Sequence, residues 1–298
     1  MRVLLLGGDG QVGHELRRSL AALGEVVVTT RSGRLAVDGS ACETLDLAQV
    51  DAIEPLLRRV RPDRVVNATA YTAVDRAESE RELAFAVNAQ APARLAELCA
   101  ADDIGLIHYS TDYVFDGNGT RPYLESDPTG PLSVYGESKL AGEEAIRASG
   151  AAHLILRTAW VYATHGHNFL RTMLRLGAER DELRVVADQQ GSPTPAWLLA
   201  DTAAAVLRRG IVESGVRHIV AGGQTSWHGF AEAIFAEAQL RGLIERRPQV
   251  VPITTADYPT PARRPNYSVL DTSRLQSEYG LSIPHWRDAL TTTLDATA

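Results

Sequence analysis

An aliphatic run, Val3-Leu4-Leu5-Leu6, passes directly into Gly7-Gly8-Asp9-Gly10-Gln11-Val12-Gly13 and then into the helix-forming segment His14-Glu15-Leu16-Arg17-Arg18. A strand this apolar has no water-facing side and belongs inside a sheet covered on both faces. A glycine turn between such a strand and a helix lets backbone N–H groups and the positive end of the helix dipole approach a pyrophosphate. Two registers fit that dinucleotide fingerprint, Gly8, Gly10, Gly13 or the evenly spaced Gly7, Gly10, Gly13, with Gln11 and Val12 completing the loop. The strand, turn and helix context gives weight to an otherwise common pattern.

The same alternation continues. Arg2–Leu6, Val26–Thr30, Arg64–Asn67, Gly105–Ser110 and His153–Arg157 read as buried strands, and Gln11–Leu23, Asp51–Arg59, Glu80–Asn88 with Ala91–Ala101, and Val134–Ala148 as the crossover helices. This predicts an α/β chain with a Rossmann-type doubly wound parallel sheet. Beyond residue 158, Pro193, Pro195, Pro248, Pro252, Pro259, Pro261 and Pro265 interrupt the pattern and shift the composition toward loops. Asp201–Arg209 still reads as a helix and Val216–Val220 as a strand, so part of this half is expected to return to the sheet. The expected division is 1–158 with about 198–222 for the dinucleotide, and a smaller discontinuous C-terminal substrate unit of about 159–197 and 223–298. Thr291–Thr293 and the last residues are expected to fray.

Lys and Arg total 30 against 37 Asp and Glu, a net charge of −7 over 298 residues, which argues against a polyanion-coating surface and hence against a nucleic-acid partner. Cys42 and Cys99 are too few for a disulfide framework, and no apolar stretch is long enough to span a bilayer. A cytoplasmic location without membrane association is the expectation.

The second strand ends Val28-Thr29-Thr30-Arg31-Ser32 without the carboxylate that binds a ribose 2′-OH in NAD-selective folds. Arg31 and Ser32 suit a 2′-phosphate instead, predicting NADPH. Tyr135-Gly136-Glu137-Ser138-Lys139 puts Tyr and Lys four apart, on one helical face. A nearby ammonium favours phenolate, so this spacing predicts a phenol acidified by Lys139 that protonates a carbonyl oxygen as hydride arrives. Ser110 and Thr111 end a predicted parallel strand, where ligands of open α/β sheets bind.

With those motifs in view, the chain resembles the extended short-chain dehydrogenase/reductase superfamily and, within it, the dTDP-4-dehydrorhamnose reductases. The specific pieces are Gly7-x-x-Gly10-x-x-Gly13, Val66-Asn67-Ala68-Thr69-Ala70-Tyr71-Thr72-Ala73-Val74-Asp75, Ser110-Thr111-Asp112-Tyr113-Val114-Phe115-Asp116-Gly117 and Tyr135-Gly136-Glu137-Ser138-Lys139. Arg157-Thr158-Ala159-Trp160-Val161-Tyr162, Asp188-Gln189-Gln190-Gly191-Ser192-Pro193-Thr194 and Arg264-Pro265 add to them. The resemblance implies reduction of the C4 keto group of dTDP-4-dehydro-β-L-rhamnose by NADPH, or NADH in some members, in polysaccharide precursor synthesis. It makes Tyr135 the proton donor, Lys139 its partner and a ribose ligand, and Thr111 the group orienting the carbonyl. It assigns Asp46, Leu47, Thr69, Ala70, Tyr71 and Asn88 to the cofactor, and Thr72, Val74, Ser110, Tyr113, Trp160 and Arg264 to the nucleotide-sugar.

Thr111-Asp112-Tyr113 lacks the glutamate of related 4,6-dehydratases, so elimination of water is not expected. A nucleotide-sugar epimerase with retained NAD and a non-catalytic NADP-binding regulatory subunit are the alternatives. Some members of the family dimerise around Mg²⁺. Glu15 matches one ligand, whereas Trp197 stands where another acid would fall, and Tyr267 interrupts the usual Arg-Pro-x-Asn-Ser sequence. A monomer or homodimer is expected. Trp160 reads as a surface for stacking a base, and Arg263 with Arg264 as a diphosphate clamp. His165-Gly166-His167 lacks a third ligand at metal-site spacing, and Glu78, Glu80, Arg81 and Glu82 read as a solvated helical face.

Overall fold

A computed structural model describes residues 1–296. Its centre is a seven-stranded sheet. Six of the strands are β1 (Arg2–Leu6), β2 (Glu25–Thr30), β3 (Glu43–Thr44), β4 (Arg64–Asn67), β5 (Gly105–Thr111) and β6 (His153–Thr158). In space they run β6, β5, β4, β1, β2, β3, and Gly215–His218 pairs on the outer side of β6; every pairing is parallel. The strand order reverses at β1 and β4, the crevice where doubly wound sheets hold ligands.

Alternation along β1 shows why the sheet is covered twice. Val3 and Leu5 pack on one face with Leu16 and Leu20 of α1 (Gln11–Ala21) and with Leu199 and Ala203 of the helix Ala196–Arg209. Leu4 and Leu6 pack on the other with Ile53 and Leu57 of α2 (Ile53–Val60). These four β1 side chains are fully buried, and each contributes about 1.5–3 kcal/mol of hydrophobic stabilisation. The chain then adds α3 (Val74–Ala77), α4 (Arg81–Phe85), a π-helical stretch Ala86–Gln90, α5 (Ala91–Ala101) and α6 (Val134–Ala148). The expected break between Asn88 and Ala91 is thus an unbroken helix with one wide turn.

The C-terminal half is more regular than its prolines suggested. Helices Phe169–Glu179 and Trp227–Leu240 pack beside a parallel strand pair, Glu182–Val186 with Gln249–Ile253. The helix expected at Asp201 starts at Ala196, directly after Pro195, and the strand expected at Val216–Val220 is Gly215–His218. Thr291–Thr293 lie inside the helix Trp286–Asp295, and Thr293 is buried; the last two residues of the expected frayed end lie outside the described residues. Among the described residues, no helix is long and apolar enough to cross a membrane.

Candidate active site

The glycine turn is built by close contacts. Gly7 has φ +86°, and a Cβ on Gly13 would stand 1.9 Å from the Gly7 carbonyl oxygen. Gly10 donates its N–H to that oxygen at 3.0 Å and forms the N-cap of α1, which no side chain caps. Gly8 seats the turn on β2, since a Cβ there would meet Val28 at 2.2 Å. Gly7 and Gly10, but not Gly8, face the cleft, in keeping with the evenly spaced register.

That cleft, about 560 Å³, runs over the carboxyl ends of the central strands. Gly7, Gly10, Gln11, Val12, Thr30, Arg31 and Ser32 line one end; Thr69, Ala70 and Thr72 its middle; Tyr109, Ser110, Tyr135, Lys139 and Thr158 the other. Arg31 and Ser32 are exposed at the rim.

Tyr135 and Lys139 reach it because α6 is fixed at its start. The Ser133 hydroxyl accepts from Gly136 N–H at 3.3 Å, and Glu78 accepts from Val134 N–H at 2.9 Å. Arg81 pairs with Glu137 at 2.7 Å. The acidic stretch read as a solvated face therefore pins the helix that carries the phenol, and its carboxylate complements the helix N-terminus. A Cβ on Gly136 would lie 2.3 Å from the Tyr113 carbonyl oxygen, so α6 and the turn after β5 touch backbone to backbone.

Burial pushes the Tyr135 phenol up to about 12, the Thr111 hydroxyl beside it lowers it, and Asp112 raises it. This corrects the expected acidification by Lys139. The Lys139 Nζ instead donates to the Tyr109 carbonyl at 2.7 Å and lies 3.2 Å from His108 Nε2. Burial pulls its amine down to about 8. Thr111 keeps its place at the strand end, accepting from Tyr113 N–H at 3.2 Å and donating to Asp112 Oδ1 at 3.1 Å. Ser110 lines the cleft, yet its hydroxyl is taken up by Glu143 at 2.5 Å.

Other expected contacts have structural duties. The Asn88 amide accepts from Tyr71 N–H at 2.8 Å, and donates to the Tyr71 carbonyl at 3.1 Å and to Ser138 at 3.0 Å, tying the loop after β4 to α6 from below. Tyr71 Oη donates to Glu80 at 2.7 Å. Asp46 accepts from Ala48 N–H, and Leu47 is a core residue beside Leu4 and Leu6, so neither side chain lines the cleft. Val74 opens α3 and is also outside it.

Tyr113 meets the Tyr135 ring edge-on at 5.7 Å with the Arg264 guanidinium nearby, and burial raises its phenol. Arg264 pairs with Asp75 at 2.9 Å, and its Nη1 has no partner among the described residues. With Arg263 it lines a second cavity of about 330 Å³ that includes Asp116, Asn118, Thr260 and Asn266. Trp160, in a left-handed backbone conformation with φ +48°, stacks on Trp227 at 3.6 Å and 7°. One face of the Trp160 ring is thus covered from within the chain.

Tyr109 and Thr158 were missed. Thr158 is aligned with Thr111 in the β5–β6 register, and its buried hydroxyl has no partner among the described residues. The rule that ligands bind at strand carboxyl ends, applied to β6 as it was to β5, finds it.

His14, Glu15 and His165 supply ligand atoms within 4.8 Å of one another. His165 meets two potential ligands from α1, far away in sequence, whereas His167 stands outside the cluster. The set does not fit Mg²⁺, which takes oxygen ligands in near-octahedral array. One carboxylate faces two imidazoles, Arg18 lies 3.8 Å from it, and Trp197 donates to Thr293.

A family described as RmlD substrate binding domain matches residues 1–298. A dTDP-4-dehydrorhamnose reductase of Shigella flexneri is 46% identical over 96% of this chain and 95% of its own length. One from Burkholderia thailandensis is also 46% identical, over 97% of both chains. The crystal structure of dTDP-4-dehydrorhamnose reductase from Bacillus anthracis in complex with NADP superposes with a TM-score of 0.89 at 32% identity, covering 99% of each chain. The chain belongs to the RmlD substrate binding domain family, that of the dTDP-4-dehydrorhamnose reductases.

Proposed function

We propose that this enzyme reduces the C4 ketone of dTDP-4-dehydro-β-L-rhamnose to dTDP-L-rhamnose with NADPH. The observation that carries the reading is that Tyr135, with the Thr111 hydroxyl beside it, and Lys139 line the cleft that begins at the glycine turn. NADPH, when bound, supplies the hydride to C4. Gly7, Gly10 and the uncapped α1 amides receive its pyrophosphate, Arg31 and Ser32 its 2′-phosphate, Thr69 and Ala70 line its path, and Lys139 bonds its ribose.

Thr111 and Tyr135 bind the ketone oxygen, and Tyr135 gives it a proton. A phenol kept protonated by burial is ready to donate at neutral pH, and it remains more acidic than the alcohol it forms. Arg264, with an unpaired Nη1 beside the second cavity, holds the diphosphate, and Thr72 and Tyr113 guide the sugar between the two cavities. Residues 1–158 with about 198–222 serve the cofactor, and about 159–197 and 223–298 the nucleotide-sugar.

A monomer or a homodimer without a bridging metal is the reading, since His14, Glu15 and His165 do not suit Mg²⁺. Two free cysteines favour a reducing compartment, the cytoplasm. Neither the epimerase nor the regulatory-subunit reading has an observation of equal weight behind it. NADPH oxidation should be followed with dTDP-4-dehydrorhamnose and with GDP- and UDP-linked 4-keto sugars. The dTDP sugar is expected to turn over fastest, with one NADPH consumed per product; absent turnover with all three overturns the reading.

A further inference from the structure

Beneath the cleft, one hydrogen-bonded chain runs from the loop after β4 to the helix that carries Tyr135. Thr69 N–H donates to Asn67 Oδ1 at 3.0 Å. Asn67 Nδ2 lies 3.1 Å from His108 Nδ1, and His108 Nε2 lies 3.2 Å from Lys139 Nζ. Lys139 then donates to the Tyr109 carbonyl. Asn67 and His108 are fully buried and Lys139 is 1% exposed, a depth at which a mismatched donor is costly.

The first bond fixes the direction of the rest. A backbone N–H only donates, so the atom of Asn67 facing Thr69 is the oxygen and Nδ2 is left facing His108. Nδ2 also only donates, so His108 Nδ1 presents a lone pair. A neutral imidazole bare at Nδ1 carries its hydrogen on Nε2, and that N–H points at Lys139 Nζ. An ammonium has no lone pair to receive it, whereas an amine has one. We propose that His108, oriented by Asn67, is a positioning residue that holds Lys139 as an uncharged amine in the cofactor-free enzyme, and that Lys139 takes a proton from solvent when the anionic dinucleotide binds.

The surroundings agree. Glu143, one turn further along α6, opposes the loss of charge on Lys139, but it is committed to Arg157 of β6 at 2.6 Å and to Ser110 of β5. Tyr135 is turned toward Thr111. Burial lowers both the Lys139 amine and, well below its ordinary value, the His108 imidazole. The empty enzyme thereby avoids a bare buried ammonium, and the charge arrives together with the phosphates.

The tautomer can be read directly, independently of catalysis, by ¹⁵N NMR of histidine-labelled, cofactor-free protein, with His108 assigned by its loss in His108→Gln. The expected result is a bare Nδ1 and a protonated Nε2 at mildly alkaline pH, above the Lys139 value of about 8; an Nδ1–H tautomer or an imidazolium there overturns the proposal. Asn67→Asp keeps the acceptor for Thr69 but demands a hydrogen on Nδ1, so it should reverse the tautomer, and an unchanged tautomer counts against the proposal.

Calorimetry of NADPH binding in buffers of different ionisation enthalpy, at mildly alkaline pH, reads the second step, which rests on the cofactor assignment above. The wild type should take up about one proton. His108→Gln, whose amide oxygen can accept from an ammonium, should take up several-fold less; equal uptake by the two contradicts the mechanism. Binding of NADPH without ketone reduction would count against the proposed activity while leaving this test intact.

Discussion

Lys139 Nζ donates to the Tyr109 carbonyl at 2.7 Å, which anchors the lysine of the Tyr-x-x-x-Lys pair to strand β5 instead of to the phenol. The two side chains share a helical face, as their spacing dictates, but each has a separate partner: Thr111 for Tyr135, and Tyr109 with His108 for Lys139. The strand ends thus set the proton chemistry as much as the helix does.

The ion pair beneath β5 and β6 supports those strand ends. Glu143 and Arg157 side chains are 0% and 3% exposed and meet at 2.6 Å. Glu143→Leu leaves the guanidinium buried without its countercharge and is expected to cost about 3–5 kcal/mol in urea unfolding. Glu143→Leu with Arg157→Met should recover at least half of that loss. A single-variant loss within error of zero would contradict the account.

Asp112 gives the protein a pH dependence. Burial raises its carboxyl from 3.8 to about 7, against hydrogen bonds from Ser268 and Thr111. The folded state therefore holds a proton that the unfolded chain has released across that interval. Its stabilising contribution is complete below the unfolded value and is lost as pH rises through the folded one. Over the whole interval the change is on the order of 4 kcal/mol. Unfolding measured at mildly acidic and mildly alkaline pH should show this fall in the wild type and a flatter profile in Asp112→Asn; equal slopes would contradict it.

Arg31 is exposed at the cleft rim beside Ser32, and the strand end Val28–Ser32 carries no carboxylate. Arg31→Ala should lower kcat/KM for NADPH about 10- to 100-fold, the worth of one charge-assisted hydrogen bond. The value for NADH should stay within about threefold, since no 2′-phosphate is involved. Equal losses for the two cofactors would remove Arg31 from the specificity.

The sheet was legible because β1, β4, β5 and β6 are buried on both faces and leave continuous aliphatic runs, and β4 and α6 match their expected limits residue for residue. In the C-terminal half the helix Ala196–Arg209 and the strand Gly215–His218 were legible, but the prolines masked the other signals beneath them. Asn168 and Ser226 cap the helices Phe169–Glu179 and Trp227–Leu240 by accepting from Arg171 and Gly229 N–H, and both cap residues stand in plain view in the sequence. In the site, spacing revealed Tyr135 and Lys139 but could not reveal their partners. The His108–Lys139 contact depends on β5 register, Trp160 on a tryptophan 67 positions away, and the His14–Glu15–His165 cluster on tertiary folding.

The central claim is that the Tyr135 phenol protonates the reduced ketone. Its most direct test is the turnover number for dTDP-4-dehydrorhamnose with saturating NADPH, measured for wild type and Tyr135→Phe alongside NADPH affinity. Loss of one general acid predicts a fall in kcat of about 10²–10⁴-fold with the cofactor Kd changed less than about threefold. A variant that binds NADPH normally and turns over at a near-wild-type rate would contradict it.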